Sequence, residues 1–100
     1  MIYHYYEIGK DGFHHLELNV NIPFSKFKEF DFNEPSLGED DTIFLLAKTE
    51  LDVKDVAEEF RMLMWSDRAF GYYHPRLNLT DEEFATMFDE LTKIMEGNND

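Results

Sequence analysis

Four histidines, His4, His14, His15 and His74, and 22 Asp or Glu side chains are the residues of this sequence whose types could do chemistry. Imidazole and carboxylate together make a ligand set for a borderline divalent metal ion, or a general acid and base. Spacing argues against both. His14 and His15 are adjacent in a β-type run and point to opposite faces, so they cannot chelate together. In the hairpin register expected below, His4 and His14 share a face but lie four residues apart along it, roughly 13 Å at about 3.3 Å per residue. No histidines stand at helical i, i+4 spacing, and no calcium-loop pattern of alternating acidic residues around a glycine occurs. The expectation is therefore no metal and no cofactor, with Glu7 and His15 an ordinary cross-strand pair on a wet sheet face.

Other catalytic signatures are missing. The sequence holds no phosphate-cradling glycine loop, no Gly-x-Ser-x-Gly elbow and no cysteine nucleophile. Two carboxylates can meet from anywhere in a chain, but nothing distinguishes one pair among so many. The expectation is a protein that is not an enzyme.

Composition narrows the partners. The 100 residues are 43% hydrophobic with ten phenylalanines, enough apolar material for one core, and are read as one acidic α+β domain over residues 1–100. Nine Lys and Arg against 22 Asp and Glu give a formal net charge of −13. Such a surface repels nucleic-acid phosphates, whose affinity comes from basic side chains displacing counterions. It offers no basic amphipathic stretch to an anionic membrane either. Direct nucleic-acid and membrane binding are thus not expected, and natural partners are basic or neutral. The absence of cysteine, the lack of a basic and apolar leader in the first residues, and the lack of any run near roughly 18 apolar residues make the expected location the cytoplasm.

The elements that must position these groups follow from periodicity. Residues 2–8 and 13–22 are β-type runs joined by Gly9-Lys10-Asp11-Gly12. A three-residue loop with Gly12 in the left-handed position pairs Ile8 with His14, Tyr6 with Leu16, His4 with Leu18 and Ile2 with Val20. His14, Leu16, Leu18, Val20 and Ile22 then form one face, and Tyr3, Tyr5, Glu7, His15, Glu17 and Asn19 the watered one. Aromatics three apart over residues 24–30 suggest a helical turn after Pro23, and residues 33–41 read as a loop with Glu39-Asp40-Asp41 as an acidic tip. A buried strand is expected over 42–49. Asp52 caps a helix over 53–66 whose stripe is Val53, Val56, Ala57, Phe60, Leu63 and Met64, with Met62 and Trp65 off the stripe. Residues 67–78 read as a connection. Thr80 and Glu83 form a capping box for a last helix, with Phe84, Met87, Phe88, Leu91, Ile94 and Met95 on its apolar face up to Gly97. The fold expected is α+β: a small antiparallel sheet, the N-terminal hairpin plus a third strand, covered on one face by two C-terminal helices.

Two features carry the functional expectation. The aromatics Trp65, Phe70, Tyr72 and Tyr73 either fill the corner between sheet and helices, or leave Trp65 and a tyrosine exposed to anchor a partner, with Arg68 and Arg76 as a polar rim. The carboxylates Asp55, Glu58, Glu59, Asp81, Glu82, Asp89, Glu90 and Glu96, with the tip Glu39, Asp40 and Asp41, are either a solubility coat, with Asp89 and Lys93 a routine helical ion pair, or a surface that steers onto a basic protein. The expected function is a non-catalytic acidic interaction protein that blocks a basic protein surface, such as that of a nuclease or another nucleic-acid-binding protein. Immunity proteins and anti-defence inhibitors, including mimics of nucleic acid, act in this way. Its partner-binding residues would be Glu39, Asp40, Asp41, Asp55, Glu58, Glu59, Asp81, Glu82, Asp89, Glu90, Trp65, Tyr72 and Tyr73, on a monomer or homodimer. The rival readings are an oligomeric assembly subunit pairing through an open strand edge and a small-ligand-binding domain.

Overall fold

The computed structural model describes residues 2–19, 32–71 and 77–97. The helical turn expected over 24–30, together with Val20, Ile22, Tyr72, Tyr73, His74 and Arg76, lies outside the described residues. The elements run β1 (Ile2–Gly9), β2 (Gly12–Asn19), β3 (Ser36–Leu37), β4 (Ile43–Ala47), α1 (Val53–Phe70) and α2 (Asp81–Met95). The sheet is antiparallel throughout, in the order β2-β1-β4-β3, so the α+β architecture expected from the sequence is the one observed.

The hairpin register differs from the expected one by a single residue. Gly9 pairs with Gly12, Ile8 with Phe13, Tyr6 with His15 and His4 with Glu17, so the loop is the two residues Lys10 and Asp11. Gly12 uses its positive φ of 116° as the first residue of β2 rather than as a third loop residue. A one-residue slip moves every β2 side chain to the other face. Phe13, not His14, thereby faces the core, where its ring lies 6.2 Å from that of Phe60, and His15 stacks on Tyr6 with centroids 4.3 Å apart. These ring contacts outweigh the three-residue turn on which the other register rested, and Leu16 is left exposed.

The core lies between the sheet and the helices. Tyr6 and Ile8 of β1 and Ile43, Leu45 and Ala47 of β4 pack against Val56, Ala57, Phe60, Leu63 and Met64 of α1 and Met87 and Leu91 of α2. The opposite face is not the wet surface expected, because Tyr3 and Leu46 are buried there and Tyr3 stacks on Phe32 at 6.3 Å. On that face the Tyr5 hydroxyl donates to Glu7 at 2.7 Å. Burial and the adjoining carboxylate push the Tyr5 phenol up to about 12. Because an unfolded chain ionises this phenol near 10, stability attributable to Tyr5 is intact below that pH and declines as pH rises toward 12. Tyr5→Phe is expected to remove the most alkaline part of the tyrosinate absorbance titration; an unchanged titration would contradict the assignment.

Both helix starts are legible in the residues that cap them. The Asp52 carboxylate accepts from the Lys54 amide at 2.9 Å. The Thr80 hydroxyl accepts from the Glu83 amide at 3.1 Å while Glu83 accepts from the Thr80 amide at 2.9 Å. The bond from the Thr80 amide, with Lys10 adding its charge, holds the Glu83 carboxyl below its usual range, so its contribution is present at neutral pH and lost on acidification. Thr80→Ala should cost about 1 kcal/mol in chemical denaturation, the usual loss for a cap, and no change would mean the box is ornamental. Helix α1 runs four residues past the expected end and stops where Gly71, at φ 65°, donates to the Asp67 carbonyl at 3.0 Å. The loop expected over 33–41 contains the two-residue strand β3, which adds to the β4 edge.

Candidate functional site

The two helices pack antiparallel: Arg68 of α1 reaches Asp81 at the start of α2, and Arg61 lies over Phe88 and points to the Met95 sulfur near its end. Burying Val56, Ala57, Phe60, Leu63 and Met64 forces the off-stripe residues of α1 outward. Met62, Trp65 and Phe70 are 57%, 53% and 54% exposed, and Trp65 meets Phe70 edge-to-face with centroids 5.1 Å apart. Three large apolar side chains from one helix thus face solvent together, and the reading in which Trp65 merely fills a corner does not hold. Beside them a groove of about 310 Å³ runs between the helices, lined by Glu58, Arg61, Met62, Trp65, Ser66, Phe88 and Met95. Arg61 forms its wall, and its buried Nε–H has no acceptor among the described residues.

Carboxylates flank this patch. Glu58 and Glu59, one turn before Met62, and Asp55, two turns before it, are exposed and form no ion pair among the described residues.

The remaining acidic residues divide differently from what sequence order suggests. The tip at 39–41 folds back on the start of α2: Asp41 accepts from the Asn78 amide at 2.8 Å, and Lys10 bridges Asp41 at 3.9 Å and Glu83 at 3.2 Å. Asp40 and Asp41 both take positive φ, and Thr42 closes the turn by donating its hydroxyl to the Glu39 carbonyl at 2.7 Å. Asp41 is therefore a structural anchor, while Glu39 and Asp40 point outward. They share one end of the molecule with the exposed Asp81 and Glu82, of which Asp81 is engaged by Arg68 at 2.7 Å. Asp89 is exposed along α2 but forms no ion pair with Lys93, contrary to the expectation of a routine helical pair. Glu90 is half-buried against Gly12, and Glu96 is exposed at the α2 C-cap. Of the residues expected to meet a partner, Trp65 and Glu58 line one groove and Glu59 lies beside Met62, while Asp55 is exposed in the first turn of α1. Tyr72 and Tyr73 lie outside the described residues.

No family model, curated protein or solved structure matches this chain. No helix among the described residues is long and apolar enough to cross a membrane.

The shifted hairpin register also overturns the argument that no two histidines can meet. With His15 on the core face beside β1, His4 Nδ1 and His15 Nε2 lie 3.2 Å apart. Ligand atoms of His4, His15 and Glu50 all fall within 4.8 Å of one another. The signal that could have found this pair was the choice between Phe13 and His14 for the core face, which decides on which side His15 emerges.

Proposed function

We propose that this chain is a non-catalytic interaction protein whose α1 outer face docks on a protein surface with basic side chains arranged around an apolar centre. The observation that supports the reading is the exposed Met62–Trp65–Phe70 patch with the exposed carboxylates Asp55, Glu58 and Glu59 on the same helix, which form no ion pair among the described residues. Exposed aromatics in a cluster supply binding energy on desolvation, while the surrounding charge selects and steers the partner. A net charge of −13 extends that attraction beyond the contact itself. Proteins that handle nucleic acid carry basic grooves of the complementary kind, which makes an inhibitor of such a protein the form the reading takes.

Immobilised protein exposed to a lysate of the cells that produce it, washed at about 0.1 M and at about 0.5 M salt, tests this reading. Retention of a basic protein at the lower salt, largely lost at the higher, is expected. Retention of a second copy of this chain, or of nothing, would instead favour assembly through the open edge of β2 or a surface charge that serves solubility alone.

A further inference from the structure

We infer that His4, His15 and Glu50 form a binding site for a divalent metal ion of the zinc class. It is independent of the function proposed for the α1 face. Two nitrogens bound to one zinc ion at about 2.0–2.1 Å and a tetrahedral angle sit roughly 3.3 Å apart. His4 Nδ1 and His15 Nε2 are separated by 3.2 Å. Glu50 brings a carboxylate oxygen within 4.8 Å of both, so modest side-chain rotation closes a three-ligand set and leaves a fourth position for water.

The surroundings hold these ligands in place. His4 is buried in the centre of the sheet, between Glu17 of β2 and Ala47 of β4. The fully buried Tyr6 stacks flat on the His15 ring, 7° from parallel, and so fixes its plane. The same Tyr6 oxygen accepts from the Leu51 amide at 2.8 Å, which pins the backbone next to Glu50. One side chain thus positions two of the three ligands, the role that outer-sphere partners play around metal centres. Glu17, opposite His4 on the same face, adds a second carboxylate at the site's edge. Imidazole donors with a carboxylate suit zinc, cobalt or nickel, whereas magnesium and calcium take oxygen ligands alone. The three ligands come from β1, β2 and the β4–α1 connection, and His4 and His15 share a face only in the observed register, so a bound ion would lock the hairpin in that register.

The simpler arrangement of the same atoms is one hydrogen bond between the two imidazoles, and a metal titration separates the two. Chelator-treated protein is titrated with Zn²⁺ against a chromophoric competitor, and separately with Co²⁺ followed by its visible absorption. Saturable binding of one ion per chain, a tetrahedral Co²⁺ spectrum and a higher Tm with Zn²⁺ are expected, with no displacement by millimolar Mg²⁺. His15→Phe keeps an aromatic ring for Tyr6 to stack on, and Glu50→Gln alters an exposed side chain. Each should weaken Zn²⁺ at least about tenfold. If His15→Phe fails to fold, Glu50→Gln decides. The absence of saturable Zn²⁺ binding, displacement by Mg²⁺, or undiminished binding by Glu50→Gln would overturn the site and assign any uptake to the acidic surface.

Discussion

Phe60→Ala is expected to lower the unfolding free energy by about 3–5 kcal/mol, while Trp65→Ala, five residues further along the same helix, changes it by less than about 1 kcal/mol. Phe60 is fully buried, packed with Phe13 of β2 in the cluster that joins sheet and helices. Removing its ring takes away apolar burial and leaves a cavity between elements that are each held by their own hydrogen bonds and cannot collapse into it. For a domain whose whole stability is on the order of 5–15 kcal/mol this is a large fraction, and the midpoint should fall by roughly 15–25 °C. Trp65 keeps about half its surface in water, so its loss removes little burial on folding. Denaturant melts of the two variants measure both effects. Comparable destabilisation by the two would mean that Trp65 is a core residue and that the α1 patch is not free to meet a partner.

The second large effect is kinetic. Reversing Asp55, Glu58 and Glu59 to lysine moves the net charge from −13 to about −7 and places positive charge beside the apolar patch. Association with the captured partner should slow by about tenfold or more at low salt, and the difference from the unaltered protein should vanish near 0.5 M, where charges beyond a few ångströms are screened. Trp65→Ala should instead act mainly on dissociation, since a buried anchor determines how long the complex lasts. The corresponding reversal of Glu39 and Asp40 serves as comparison, because Asp41 beside them is engaged in holding the loop to the start of α2. Equal slowing by both reversals would show that net charge alone, and not the α1 face, governs encounter. Stability of the triple variant should fall by no more than about 1 kcal/mol, the cost of a positive charge in the first turn of α1, because the three carboxylates make no ion pairs among the described residues.

What could be read in the sequence was what local chemistry determines. Asp52 and Thr80 marked both helix starts because a side-chain oxygen before an amphipathic run has one structural use, and the core stripes of α1 and α2 followed from 3.6-residue spacing. The same spacing placed Met62 and Trp65 off the stripe, which is why both are exposed. The hairpin register was not legible, since Gly12 suits either a three-residue loop or the first position of a strand and the apolar alternation of β2 pointed the wrong way. The choice rests on contacts from distant residues, Phe60 against Phe13 and Tyr6 against His15. With it went the juxtaposition of His4 and His15. The end of α1 was placed early because the aromatic segment after Ser66 reads as a connection, although Gly71 carried the stop signal. Strand β3 escaped notice because its two residues stand between Pro35 and Gly38, and only pairing with β4 makes them a strand.

Under the proposed function, the exposed α1 face meets a basic partner. A photo-crosslinking residue, p-benzoylphenylalanine, in place of Trp65 tests it inside the cells that make the protein, with the same group in place of Leu16 on the far face of the sheet as reference. A covalent adduct from position 65 to a basic protein is expected, diminished when lysates are irradiated at about 0.5 M rather than 0.1 M salt, and none from position 16. An adduct only to a second copy of this chain, an adduct from position 16 alone, or no adduct from position 65 would contradict it.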